Sequence, residues 1–472
     1  MWAQLHDLAI DTIPAMGQLG LLDGAADEGS DRDHPVRPDG HLRPEWTSGG
    51  WSDTAARLTA WASLARQAAE LQRVRLDTLP DAPGVSATVR SESAAELLCA
   101  ELATDGLPFD TAIAEQFLAA TIGTRPRNDV EAEAVRRRRD AVVIERGGLS
   151  AGVDLRNPAH VRRMLAGAGV DVTDTRAWRL EPYRETHPLV DALLTWRKAE
   201  RMATTYGYPW LDTNVSSDGR LRGAWSGSDG AAGRMTAQAG LHNMPAEMRV
   251  AVIAEPGHVF VHADLGQIEP RVLAAVSHDP LLTAATSSED LYAPIAERLD
   301  VARPVAKIAV LAAMYGQTSG TAGEALRGLE RAYPVAMQFL RDADRAGQAG
   351  RDLRTYGGRL VRMWVSPDAQ ENRSAAAARG RYARNAAIQG AAAELFKTWA
   401  VTVRGRGTPL GARIVLCLHD ELLVHVPEAH GPAMVRILEE ALPDAARRWM
   451  PGSAVRYVAK ASVIRCWADA KG

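Results

Sequence analysis

Two apolar runs that each end in a carboxylate constrain this chain more than any other feature. Val259, Phe260 and Val261 lead into Asp264, and Ile414 to Leu418 lead into His419-Asp420-Glu421, after which Leu422, Leu423 and Val424 resume the apolar pattern. Both runs are strand-like in length and β-branching. A carboxylate at a strand end is costly to bury alone, so it is exposed, paired with a base or bound to a cation. Strands laid side by side would bring Asp264 and Asp420 together, and adjacent carboxylates repel unless positive charge lies between them. Mg²⁺ held by carboxylates, substrate phosphates and water is the usual arrangement for phosphoryl transfer. On spacing alone, the purely structural reading stays open.

Around these runs the pattern is helical. Ser93 to Thr104, Asp110 to Ala120, Glu131 to Glu145, Pro188 to about Tyr206, Pro304 to Ala313 and Ser374 to Thr402 all read as helices. Thr54 to Leu76 has the spacing of one amphipathic helix, which Pro80, Pro83 and Gly84 should end. Residues 23 to 53, acidic and then rich in Pro and Gly, read as a linker or surface loop. Gly230 to Pro245 reads as irregular. Arg136 to Arg139 spread around their helix, so a solvated face competes with phosphate contact as their explanation. The expected class is α+β, mostly helical.

At 472 residues the chain has room for about three domains and excludes a small disulfide scaffold. A net charge of −3 argues against a polybasic coat, but phosphate binding depends on locally placed charge, so it excludes no nucleic-acid partner. Cys99, Cys417 and Cys466 lie far apart without zinc-type spacing, which fits a reducing compartment. The N-terminus lacks the form of a signal peptide, and no run of about 18 apolar residues occurs. A cytoplasmic protein without membrane contact is expected.

Arg303, Lys307, Leu311 and Tyr315 recur every fourth residue and share one helix face. Pro304 suits a first helical turn, where free N–H groups and the dipole favour an anion such as a triphosphate. Taken alone, the two basic residues could equally face solvent.

The order of these segments resembles the polymerase domain of the family A DNA polymerases, the bacterial DNA polymerase I group. Asp264-Leu265-Gly266-Gln267-Ile268-Glu269-Pro270-Arg271 is similar to the first palm motif of that family. Arg303 through Lys307 to Tyr315-Gly316 is similar to its fingers helix, and His419-Asp420-Glu421 to its second palm motif. Gly233-Arg234-Met235 with Leu241-His242-Asn243-Met244-Pro245, and Arg381, Asn385 and Gln389, are weaker matches. The wording of Thr204-Thr205-Tyr206-Gly207 and of Leu311 to Gln317 resembles an actinobacterial branch of bifunctional exonuclease–polymerases.

This resemblance implies a right-hand fold of palm, fingers and thumb with an antiparallel palm sheet. The implied segments are 1–90 for an exonuclease-like remnant with linker, 91–205 for a thumb, 206–280 with 386–472 for the palm and 281–385 for the fingers. It implies a template-directed DNA polymerase of replication or repair, a monomer associated with the nucleoid, acting on primer-template DNA and dNTPs. Asp264, Asp420 and the carbonyl of Leu265 would bind two Mg²⁺ ions, with Mn²⁺ able to substitute, and Glu421 would support them. Arg303 and Lys307 would grip the phosphates, Lys307 as the acid toward pyrophosphate. Gln267, Glu269, Tyr292, Leu311 and Tyr315 would surround the nucleotide, with Tyr315 and Glu269 walling off the ribose 2′-position. Arg201, Arg234, Asn243, Arg381, Asn385, Gln389 and His419 would contact DNA.

Departures from the family pattern carry expectations of their own. Leu311 stands where an aromatic residue is usual and reduces the stacking surface for a base. Tyr292 replaces a usual histidine, Cys417 replaces a usual glutamine, and the stretch from Asp290 to Arg303 is short, so modest activity is expected. The first 90 residues span roughly half a proofreading domain and show none of its paired acidic motifs, so 3′–5′ exonuclease activity is expected to be absent. Two competing readings are an inactive relative that binds primer-template DNA and a metal-dependent nuclease.

Overall fold

The computed structural model describes residues 34–36, 42–79, 82–148, 153–230, 232–316, 322–363 and 373–471. The stretch Trp2 to Leu22, residues 23–33 of the expected linker and Gln317 lie outside these. The chain divides into two compact units, Met1–Arg90 and Ser91–Gly472.

In the first unit the helix Ala55–Leu76 starts at Thr54, whose side chain accepts a hydrogen bond from the Arg57 N–H. None of its residues is fully buried, so the expected amphipathic helix forms without a buried apolar stripe. Trp46, fully buried, packs its ring 6.1 Å from that of Trp61 and beneath the Arg57 guanidinium. The helix ends at Leu76, ahead of Pro80, as expected, and the next helix begins earlier than the expected Ser93. That helix, Ala82–Asp105, takes Pro83 into its first turn, where the missing N–H has no intrahelical partner to lose.

The second unit is α+β and mostly helical. Short pairs are formed by β1 (Leu107–Pro108) with β2 (Arg220–Leu221), β3 (Trp225–Asp229) with β4 (Arg234–Ala237), and β6 (Leu353–Arg354) with β7 (Leu360–Val361). The central antiparallel sheet contains β5 (His258–Leu265), β8 (Arg413–Leu418), β9 (Glu421–Pro427) and β10 (Ala459–Ile464), in the order β10-β5-β9-β8. Strands β5, β8 and β9 are buried on both faces, which is why they read as continuous apolar runs, whereas the edge strand β10 is partly exposed. Val259, Val261, Ala263 and Leu265 join Leu395 and Trp399 of the long helix Arg373–Gly407, and Met434 and Leu438 of helix Gly431–Trp449, in one core. Phe260 faces the other way, into a core with Leu416, Leu423 and Trp467. Each such fully buried large side chain contributes about 1.5–3 kcal/mol.

A third core, around Val143, Leu165, Leu193 and Trp196, joins helices Asp129–Arg146, Pro158–Gly167 and Pro188–Thr205. Beside it Arg156 pairs with both Asp140 and Glu200. Of the four consecutive arginines, Arg137 is exposed, whereas Arg139 is turned inward to Glu200 and the carbonyl of Ile122.

One further expectation needs correction. Gly230 to Pro245 is not irregular throughout, since β4 pairs with β3 across a turn in which Gly230 and Gly233 take φ of 60° and 63°. Position 280/281 falls in helix Pro280–Ala285, capped by Asp279, and position 385/386 inside the helix Arg373–Gly407. Among the described residues, no helix is long and apolar enough to cross a membrane.

Candidate active site

Asp264 lies next to the end of β5, and Asp420 occupies the two-residue turn that joins β8 to β9. Strand register brings them together. Asp264 stands opposite Glu421, and the N–H of Leu265 donates to the carbonyl of Asp420 at 3.0 Å. Burial, and then the charge of Asp264, push the Asp420 carboxyl up to about 6. Two facing carboxylates whose ionisation is mutually costly, supplied with further oxygen from the adjoining backbone, suit a hard divalent cation such as Mg²⁺.

Both carboxylates adjoin strained backbone. Gln267 and His419 adopt φ of 56° and 52°, a left-handed conformation that costs a non-glycine residue roughly 1–2 kcal/mol. The His419 ring stands edge-on to His242 with centroids 5.5 Å apart. Glu421, opposite Asp264, is buried and accepts a hydrogen bond from Trp467 Nε1 at 2.6 Å. His262 Nε2 lies 2.9 Å from the same oxygen, off the hydrogen-bonding axis. Burial alone would raise the Glu421 carboxyl, but these two neighbours outweigh it and hold it below the usual value.

An open cleft of about 260 Å³ beside Asp420 is lined by Arg234, Gln267, Glu269, Tyr292, Leu311, Tyr315 and His419. Tyr315 donates to Glu269 at 2.8 Å, and Glu269 in turn accepts from Arg234 at 2.8 Å. Burial and the Glu269 charge raise the Tyr315 hydroxyl, so it stays protonated and donating. Gln389 reaches the same hydroxyl from the long helix. The helix Arg303–Tyr315 carries the whole four-residue stripe, starts with Pro304 in its first turn and stops at Gly316, whose φ is 69°. A Cβ at Gly316 would lie 2.8 Å from Arg381 Cγ, so glycine permits this close approach.

Arg303 and Lys307 are exposed on that helix and do not line the cleft, nor does Asp264, which is exposed. Arg303 pairs with Asp290, and this ion pair holds the Asp290 carboxyl below its ordinary value. Gln267, expected at the nucleotide, uses both ends of its amide on the same loop. Its Nε2 donates to Asp290 at 2.7 Å and its oxygen accepts from the N–H of Leu291 at 2.8 Å. Tyr292 is buried, and burial pushes its hydroxyl up to about 12. Asn385 is half-buried and Arg381 exposed on the long helix, while Asn243 and Arg201 are exposed outside the cleft lining.

Two residues whose roles no sequence pattern revealed organise this region. Arg271 is fully buried and donates only to backbone carbonyls, those of Gly266, Thr286, Ser288, Glu289 and Arg456, at 2.5–3.1 Å. Asp290 gathers Arg303, Gln267 and the N–H of Tyr292. Arg271 falls four residues after Gln267, so helical spacing marked its face. Nothing local marked Asp290.

The family model for DNA polymerase family A matches residues 164–469. DNA polymerase I of Chloroflexus aurantiacus is 31% identical over 326 residues, covering 63% of this chain and 34% of that protein. The thermostable DNA polymerase I of Thermus aquaticus is 30% identical over 297 residues, covering 57% of this chain and 35% of that protein. The chain thus spans about a third of the length of these curated relatives. The solved POL domain of Pol1 from M. smegmatis, in complex with DNA primer-template and dNTP, superposes with a TM-score of 0.70 at 24% identity, covering 93% of this chain and 81% of that one. The two share the right-hand polymerase fold. With the family model matching well over half of its length, and with its two carboxylates brought together at one end of the central sheet, the chain belongs to DNA polymerase family A.

Proposed function

We propose that this chain is a DNA-directed DNA polymerase that adds dNTPs to a primer 3′-hydroxyl along a template. The juxtaposition of Asp264 and Asp420, beside a cleft walled by the Arg234–Glu269–Tyr315 chain, carries this reading. Asp264, Asp420 and the Leu265 carbonyl would hold a pair of Mg²⁺ ions. When bound, such ions supply Lewis-acid activation of the hydroxyl and neutralise charge on the triphosphate.

The chain's own residues supply the rest. Arg303 exchanges Asp290 for a phosphate oxygen as the nucleotide enters, and Lys307, one turn on, meets the charge that builds on the leaving group. As the 3′-hydroxyl gives up its proton to solvent water, its oxygen bonds to the α-phosphorus and the bond to pyrophosphate breaks, and Lys307 gives the departing oxygen a proton. Glu269, fixed by Tyr315 and Arg234, fills the space where a ribose 2′-hydroxyl would lie, which favours deoxynucleotides. The segments 91–205, 206–280 with 386–472, and 281–385 serve as thumb, palm and fingers, and the chain works as a monomer in replication or repair.

The test is extension of a labelled primer on a DNA template with Mg²⁺ and four dNTPs. Lengthening of the primer supports the reading. DNA binding without lengthening would replace it with a DNA-holding role, and cutting would replace it with a nuclease. A labelled mismatched primer is expected to keep its length when dNTPs are omitted; its shortening would overturn the proposed lack of proofreading.

Leu311 lines the cleft on the stripe between Lys307 and Tyr315 and offers a base no aromatic face. Leu311→Phe is expected to lower the dNTP KM roughly 2–10-fold, the equivalent of about 0.5–1.5 kcal/mol of ring stacking. Steady-state single-nucleotide incorporation checks it, and an unchanged KM would show that the base does not stack there.

A further inference from the structure

At the end of β5 remote from Asp264, a second constellation has different chemistry. The turn Glu255-Pro256-Gly257-His258, closed by the His258 N–H on the Glu255 carbonyl at 2.9 Å, sets these two side chains close together. His425 of β9 pairs in register with Phe260, diagonal to His258, and the two imidazoles stack at 4.4 Å with planes 13° apart. One nitrogen from each ring and one oxygen of Glu255 lie within 4.8 Å of one another.

His425 is only 6% exposed, and its Nε2 is buried without a hydrogen-bond partner, 3.6 Å from Glu255 Oε2. A buried ring nitrogen aimed at a carboxylate but bonded to nothing is uncommon in a folded core. Charged neighbours include Arg220, which grips Glu255 through both oxygens at 3.0 and 2.7 Å, Arg413, opposite His425 on β8, and Arg465, which donates to the His258 carbonyl at 3.4 Å and pairs with Glu428. The Arg220 bonds leave carboxylate lone pairs unused, since an ionised carboxylate offers about four acceptor sites.

We propose that Glu255, His258 and His425 form a site for a divalent transition-metal ion of the Zn²⁺ class. Two imidazoles and one carboxylate suit Zn²⁺, which takes three protein ligands and a water, and do not suit Mg²⁺, which prefers oxygen alone. Asp264 lies six steps along the extended strand from His258, about 20 Å, so the ion clamps β5 to β9 without sharing a ligand with the carboxylate pair.

The full chain, stripped with EDTA and returned to excess Mg²⁺, would be titrated with Zn²⁺ by calorimetry, with Co²⁺ absorption in the visible reporting imidazole ligation. One equivalent of Zn²⁺ is expected to bind, to survive Asp264→Asn and to raise the melting temperature. His425→Gln and His258→Gln should each weaken it by more than the roughly 10–100-fold that loss of an outer-shell partner brings. His258 is half-exposed, so its variant keeps the test decisive if His425→Gln folds poorly. Primer extension in Mg²⁺ should be unchanged in His258→Gln. Failure to bind Zn²⁺, or undiminished binding in His258→Gln, would overturn the site.

Discussion

Asp420→Asn is expected to lower primer extension by about 10³-fold, roughly 4 kcal/mol in barrier. The variant keeps the shape of the side chain and its place in the β8–β9 turn, and removes only the charge that a cation would meet beside Asp264. Because two facing carboxylates repel when no cation lies between them, the same change should leave the protein, freed of divalent cations, at least as stable as the parent. Loss of activity with an unchanged or higher melting temperature therefore separates a site kept for chemistry from one kept for structure. Retention of extension within tenfold of the parent would remove Asp420 from the reaction.

Arg271→Ala is expected to destabilise the chain by about 3–5 kcal/mol, since each buried carbonyl left without its donor costs about 1–3 kcal/mol. Five carbonyls lose their donor at once, including that of Gly266, beside the candidate metal site, and those of Ser288 and Glu289, which lead into Asp290. Arg271→Lys should recover little, because three ammonium hydrogens on one atom cannot reach carbonyls placed around a planar guanidinium. Urea unfolding of both variants checks this. A shift below about 1 kcal/mol in Arg271→Ala would mean that water replaces the guanidinium.

Features written in local chemistry were legible in the sequence. Thr54 caps its helix, Pro304 opens the helix Arg303–Tyr315, and the two apolar runs form β5 and β8 with their carboxylates at the ends. Features decided by distant partners were not. The pairing of β3 with β4 spans a glycine-rich turn without hydrophobic period, and Pro83 proved compatible with a helix because only the first turn contains it. Arg234 read as a DNA contact, yet its folded partner is Glu269, 35 residues away, which places it in the wall of the cleft. The same holds for Asp290 and His425. Neither lies in a motif, and each acquires a role only when strand or loop places it against residues far along the chain.

The long helix Arg373–Gly407 has 35 residues and extends about 52 Å at 1.5 Å per residue. Arg384, in its first half, donates to the Ala313 carbonyl at 3.1 Å and so ties it to the end of the helix Arg303–Tyr315. Its second half is locked by Trp399, fully buried with its indole N–H on the Leu438 carbonyl. A rod held in the sheet core at Trp399 turns a small rotation into a large displacement: a tilt of about 5° there would carry Arg373, roughly 39 Å away along the axis, through about 3 Å, a step comparable to a hydrogen-bond length.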